Sequence, residues 1–353
     1  MTPAARPRDV PGRLELQADA CAHMGAPFYG TLLRSAAENH RAGGVVRDFF
    51  EARAPLGELS MIGVRFMGAL HYRALAGAAP QLAAHFPSCG GDGNAEAAWR
   101  AACSVLRADA DEIAAGVRVT PQTNEVARAT PLLGGVLAVT AATGMPVRLF
   151  DVGSSAGLNA RLDCYAYEGD GWRWGDPGSP LALRDQTLSG RPNHLDAALH
   201  VLERAACDLH PLDVANGADR LVLRSYVWAD QLDRFRRLDR AIEACARAPL
   251  TVQAADMLAW VPQRARPVSG AATIVMHSVV LDHLAPNQRL SFAEVVRDAG
   301  ARATPDAPFA WLRMEMEGAG TFATRVTLWP GEREMPIAES DGHGQKIVWR
   351  SGE

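Results

Sequence analysis

The stretch V-R-L-F-D-V-G-S-S-A-G-L-N-A-R-L-D (residues 147–163) decides how the rest of the chain is read. Its first six residues form a short, apolar, β-favouring run. Gly153-Ser154-Ser155-Ala156-Gly157 breaks the run, and the spacing of Leu158 and Leu162 predicts a helix after it. A strand, a small-residue turn and a helix start together make a cradle for an anion or a nucleotide. Small residues let a ligand reach the backbone, and the first amides of a helix are unpaired. Asp151 stands near the strand's end, where a carboxylate receives an ammonium or a hydroxyl.

The same letters fit a second chemistry. G-S-S-A-G also satisfies G-x-S-x-G, the nucleophile elbow of α/β-hydrolases, with Ser155 as nucleophile, Asp256 or Asp282 as orienting acid and His343 as base. Three features weigh against it. No H-G-G-G-type oxyanion motif precedes the elbow. The region before it reads as helical where a hydrolase needs several strands, and an acid directly before the turn has no place in a triad.

A length of 353 residues predicts one large domain or two smaller ones. Hydrophobic residues at 48%, charged residues at 22% and a net charge of −4 suit a globular protein and leave no basic excess for a nucleic-acid surface. The start, M-T-P-A-A-R-P-R-D, lacks the apolar core of a signal peptide, and no uninterrupted apolar run approaches the roughly twenty residues of a membrane span. Cys21, Cys89, Cys103, Cys164, Cys207 and Cys245 are dispersed without a C-x-x-C pair. The expectation is therefore reduced thiols in a cytoplasmic protein, with neither a zinc site nor a disulfide framework.

Upstream of the turn, apolar residues at three- and four-residue spacing predict helices over 29–40, 45–52, 59–75, 96–106 and 110–117, with Asp92 or Asn94 as a cap. Residues 1–145 thus read as a helical region and 146–353 as an α/β domain. T-P-Q-T-N-E-V-A-R, from Thr120, offers Gln122, Asn124, Glu125 and Arg128 as one polar wall of a pocket, or merely a cap and an ion pair. The segment 165–198, rich in Tyr, Trp and Gly, reads as a hairpin or lid. Further β runs are expected within 200–214 and at 250–254, 272–280, 309–316, 325–329 and 346–349, the last two as an antiparallel closing pair. Helices are expected over 229–247 and 292–299. Strands alternating with helices predict a mostly parallel sheet covered on both faces.

With these elements placed, residues 146–353 resemble the Rossmann-like class I fold of S-adenosylmethionine-dependent methyltransferases. D-V-G-S-S-A-G-L-N (Asp151 to Asn159) is similar to their first motif, an acid before a Gly-x-Gly-x-Gly turn, with Ser155 replacing the middle glycine. C-D-L-H-P around Asp208 resembles the end of their second strand, whose acid takes the ribose hydroxyls, and A-D-M at Asp256 and Met257 resembles the third-strand pair flanking adenine. The resemblance implies S-adenosylmethionine as cofactor, held by Asp151, Gly153, Ser155, Gly157, Asn159, Asp208, Asp256 and Met257. The whole chain also resembles a bacterial family defined only as a domain of unknown function, through Q-T-N-E-V-A-R, G-S-S-A-G-L-N, Y-V-W-A-D-Q and H-G-Q-K-I-V-W.

Methyl transfer needs a nucleophile aligned with the methyl group and, for some acceptors, a base. His277, Asp282 and Glu315, near the ends of the fourth and fifth β runs, are the candidates for catalysis, His277 first because imidazole titrates near neutrality. Asn124, Glu125, Trp174, Trp228 and Ser278 are candidates for substrate contact, with core packing or capping as the plainer role for each. His277, Asp282 and His283 lack further ligands at firm spacing, so no metal is expected. The expected activity is methylation of a small molecule, against an esterase using Ser155 or a non-catalytic nucleotide- or protein-binding member of the fold; neither nucleic acid nor membrane is an expected partner.

Overall fold

The computed structural model describes residues 9–53, 61–318 and 320–350. It divides into a helical unit, Met1–Thr123 with Ala215–Arg236, and a sheet unit, Asn124–Val214 with Arg237–Glu353.

In the helical unit, helices Val10–His23, Pro27–Arg41, Val45–Ala52, Ala95–Ala108 and Ala110–Arg118 bury one stripe each, for example Leu14, Ala18 and Cys21 on the first, while Ile62–Leu75 is buried on most sides. Asn94 caps Ala95–Ala108 by accepting from the Ala97 amide at 3.0 Å. The expected start of the fourth helix at residue 59 lies outside the described residues. Helix Gly217–Ser225, absent from the sequence expectations, and the Y-V-W-A-D-Q segment complete this unit. The Asp230 carboxylate accepts from the Phe28 amide at 3.0 Å, and Gln231 donates to the Met24 carbonyl at 2.7 Å. Trp228, expected at a substrate, belongs to this unit's core, tilted against Tyr29 with centroids 6.5 Å apart. Its role there is packing.

The sheet unit is built on nine strands in the order β5-β12-β11-β10-β9-β8-β1-β6-β7. In chain order they are β1 (Val147–Val152), β5 (Thr187–Ser189), β6 (Val201–Asp208), β7 (Val252–Ala254), β8 (Ala272–Ser278), β9 (Phe309–Met316), β10 (Phe322–Trp329), β11 (Arg333–Ser340) and β12 (Ile347–Trp349). A separate three-stranded sheet holds β2 (Ala166–Gly169), β3 (Trp172–Trp174) and β4 (Ala182–Arg184). β7, β6, β1, β8 and β9 are parallel neighbours. From β1 the chain goes to β6 and β7 on one side, then returns to β8 and β9 on the other. Strand order therefore reverses between β1 and β8, and in open parallel sheets ligands sit outside the carboxyl ends of the strands at such a point. No strand precedes β1 among the described residues.

Both faces of the parallel core are covered, which is why β1 and β8 read as nearly unbroken apolar runs. Phe150, Val275 and Trp311 pack with Trp260 and Phe292, from helices Met257–Arg264 and Pro286–Gly300, on one face. Helix Ala129–Thr143 covers β9, β10 and β11 on the other. Val126–Thr143 is long and apolar enough to cross a membrane by length and composition, but it is 83% buried inside the protein, as a core helix apolar all round must be. That burial also explains why the break between units falls after Thr123 rather than at 145.

Two further expectations are corrected. The runs at 325–329 and 346–349 do not pair with each other: β11 lies between their strands, antiparallel to both. Its Pro336, beside an irregularity in the β10 register, hid it in the sequence. The segment 165–198 is only partly a lid. β2 and β3 form a hairpin with β4 added parallel, whereas β5 pairs with β12 at the edge of the large sheet.

Candidate functional site

The turn after β1 alternates left-handed residues: Gly153, Ser155 and Gly157 have φ of +64°, +55° and +67°. Its glycines serve the protein's own packing. A Cβ on Gly153 would lie 2.7 Å from Val280 Cγ2, and one on Gly157 would lie 3.0 Å from Leu250 Cδ2. The expected helix is a six-residue 3-10 segment, Asn159–Cys164, with non-helical Arg161 inside it. Among the described residues, therefore, no long helix starts directly after the turn. Arg161, 2% exposed, turns inward instead and donates to the carbonyls of Ala156, Gly157, Ala248 and Leu250 at 2.8–3.2 Å. The sequence reading had missed this residue.

Asp208, at the end of β6, fastens the turn from the side. Its Oδ2 accepts from the Ser155 amide and its Oδ1 from the His210 amide, each at 2.8 Å. It was expected to bind ribose; both of its oxygens already accept backbone amides, although a carboxylate oxygen retains capacity for a second donor. Asp208→Ala is expected to destabilise the protein by about 1–3 kcal/mol in urea unfolding, the cost of leaving such donors without a partner.

Asp151 is 4% exposed, and no side-chain hydrogen bond or ion pair to it is found among the described residues. Burial first, and the Asp208 charge second, push its pKa up to about 8, with Arg161 opposing. Its carboxyl is therefore mostly protonated at pH 7. On the same turn, Ser155 Oγ and Asn159 Oδ1 are buried without a hydrogen-bond partner.

The 124–128 segment does meet the turn. Asn124 Oδ1 accepts from the Leu158 amide at 3.1 Å, and the Glu125 carbonyl accepts from Asn159 Nδ2 at 3.3 Å. The buried Glu125 carboxylate caps the 3-10 turn Val126–Arg128 through the Ala127 amide and pairs with Arg237 at 3.0 Å. Arg128 donates to the carbonyls of Gly342 at 2.9 Å and Ser278 at 3.4 Å. Gln122, expected beside them, belongs to the helical unit.

The remaining candidates divide. His277 is fully buried, with Nδ1 2.7 Å from Glu315 Oε1 and Nε2 accepting from Trp311 Nε1 at 2.9 Å. With both nitrogens engaged it is not a free base, which corrects its first place among the catalytic candidates. Asp282 lies 3.5 Å from Arg289 as an ion pair. Asp256 is exposed and caps helix Met257–Arg264 through the Leu258 amide, while Met257 is buried in the core beneath that helix. Trp174 packs edge-on against Tyr167 within the small sheet, with centroids 5.8 Å apart. Ser278 contributes its carbonyl, to Arg128. Asp341 Oδ1 accepts the His343 and Gln345 amides in a tight loop, and no imidazole bonds Ser155 Oγ.

A model of the bacterial family described as "Uncharacterized protein conserved in bacteria (DUF2332)" matches residues 12–349. The chain belongs to this family. No curated protein and no solved structure matches it. Within this DUF2332 chain, the N-E-V-A-R part of one family pattern (from Asn124) and two further patterns meet in the sheet unit. Asn124 and Glu125 hold the G-S-S-A-G-L-N turn. Gln186 Nε2 donates to the carbonyls of Ala127 at 2.9 Å and Gly344 at 2.6 Å, joining Q-T-N-E-V-A-R to the H-G-Q loop.

Proposed function

We propose that this chain is an S-adenosylmethionine-dependent methyltransferase of the Rossmann-like class I type, acting on a small molecule. The observation that carries the reading is Asp151: a buried carboxyl without a hydrogen-bond partner, one residue before the end of β1, where the sheet order reverses. Ser155 Oγ and Asn159 Oδ1 add buried acceptors without partners on the adjoining turn. Buried polar groups are normally satisfied, so a set of unsatisfied acceptors suits a donor-rich cationic group such as an amino-acid ammonium. The parallel order β7-β6-β1-β8-β9 is what the class I resemblance implies. The departures are Ser155 in the turn and the antiparallel strands beyond β9.

On this reading Asp151, Ser155 and Asn159 hold the ammonium end, and Asp208 and Asp256 stand at the ends of the next two strands for the nucleoside. The cofactor supplies an electrophilic methyl on a sulfonium. The chain's own part is to fix the turn through Asp208 and Arg161, and to release the Asp151 proton to solvent as the cation arrives.

Thermal unfolding with S-adenosylhomocysteine tests the reading. A ligand at a hundredfold excess over its Kd stabilises the fold by about 2.7 kcal/mol and raises Tm accordingly. Ser155→Ala is expected to weaken that binding by no more than about tenfold, the worth of one neutral hydrogen bond. A hydrolase is the second reading, favoured by the left-handed Ser155 with its unbonded hydroxyl. It takes over if S-adenosylhomocysteine leaves Tm unmoved while Ser155→Ala abolishes an esterase activity.

A further inference from the structure

At the end of β8 the chain does something costly. Val279 has φ +57°, a left-handed conformation that is a genuine outlier for a β-branched residue. Such a geometry persists only where its surroundings over-determine it. Here the hold is explicit. The Val279 amide donates to the Met314 carbonyl at 2.9 Å, and Arg128 takes the Ser278 carbonyl at 3.4 Å. The Val280 amide donates to Glu315 Oε1 at 2.9 Å, and the Leu281 amide lies 3.4 Å from both Glu315 oxygens.

Glu315 is itself fixed. An indole N–H only donates, so the 2.9 Å contact from Trp311 makes His277 Nε2 an acceptor and, in the neutral ring, places the proton on Nδ1. That proton is donated to Glu315 Oε1 at 2.7 Å. A buried relay thus runs from Trp311 through His277 to Glu315, and the carboxylate also receives the loop amides. The loop then rests on the turn: Val280 Cγ2 lies 2.7 Å from where a Cβ on Gly153 would be. Glu315, on β9, therefore sets the position of a segment leaning on the first residue after β1.

We infer that the ligand site has two jaws, the Gly153–Gly157 turn and the Ser278–Leu281 loop, and that Glu315 is the positioning residue that aligns the second with the first. The inference rests on the cofactor reading only for what is bound, since the relay and the left-handed Val279 are made by the chain's own residues. Losing the carboxylate lets Val279 leave its left-handed state, and a glycine at 279 adopts that state without being held.

The test measures amide hydrogen exchange at Val280 and Leu281, and S-adenosylhomocysteine affinity by calorimetry, in Glu315→Ala, Glu315→Gln and the double variant Glu315→Ala/Val279→Gly. Glu315→Ala is expected to speed exchange at least about tenfold and weaken affinity about tenfold. Glu315→Gln, which keeps an oxygen for the Val280 amide, should lose less of both, and the double variant should recover affinity to within about threefold. A purely structural Glu315 would lower Tm with no recovery of affinity by glycine, and that result overturns the inference. So does unchanged exchange in the folded Glu315→Gln and Glu315→Ala proteins. If the unaltered protein binds no S-adenosylhomocysteine, the cofactor reading fails by itself, and the exchange measurements still decide whether Glu315 positions the loop.

Discussion

Arg161→Ala is expected to remove about 3–5 kcal/mol of stability, the largest loss from any single side chain near the turn. The guanidinium is 2% exposed and bonds four backbone carbonyls: two in the turn, and those of Ala248 and Leu250 before β7. Truncation leaves those acceptors in a space that water fills poorly. Lysine is no remedy, because one ammonium cannot reproduce the planar fork that spans them. Urea unfolding of Arg161→Ala and Arg161→Lys checks this, with lysine expected to recover less than about half the loss. An alanine variant within about 1 kcal/mol of the parent would show that the carbonyls find other donors.

The second large effect concerns Asp151, and it depends on pH. Its folded pKa is raised to about 8, against about 3.9 for an unfolded aspartate. The native chain therefore keeps a proton that the unfolded chain has released, and stability falls as pH climbs from about 4 to about 8. Asp151→Asn removes that dependence. It should be near neutral at pH 4 and stabilising by up to about 4 kcal/mol at pH 7, as read from urea unfolding across pH 4–9. The same substitution should cost the site its cation. In the parent protein, S-adenosylhomocysteine must displace the Asp151 proton, so affinity should rise by up to about tenfold per pH unit below 8 and level off above it. Asp151→Asn should bind at least about a hundredfold more weakly at pH 8, with a flattened profile. A profile equally steep in both proteins would clear Asp151 of the role. Asp208→Ala adds a cross-check: removing the neighbouring charge should move the midpoint of the parent profile downward.

Much of the framework is legible in the letters. β1, β8 and β9 are buried on both faces and announce themselves as apolar runs, and Asp151, Asp208 and Asp256 do fall at or just after the ends of successive strands. What those acids do is less legible. An aspartate after a strand readily accepts amides a few residues on, as Asp208 and Asp256 do, and such local capture leaves no mark that separates it from ligand binding. Arg161 was overlooked because a lone arginine in a helical pattern usually faces water. Yet it lies three residues after Leu158, on the stripe that points inward. His277 carried a similar signal: two residues beyond Val275 in a strand, it shares the face that the helices cover. Pairing with Trp311 and Glu315, from another strand, was beyond what its neighbours in the chain could disclose.

The outermost rung β5 has a consequence for anyone trimming this molecule. It is three residues long and pairs with β12, which lies at the far end of the sequence from it. Excising 165–198 as a dispensable flap would strip that rung and bare the backbone of β12, and clipping 347–349 would orphan β5 in turn. The first cut moves the sheet's open edge inward to β12 and the second moves it to the longer β11, and a freshly bared edge is the geometry that recruits other chains. Shortened versions should therefore come out of solution as aggregates rather than as smaller, lidless proteins.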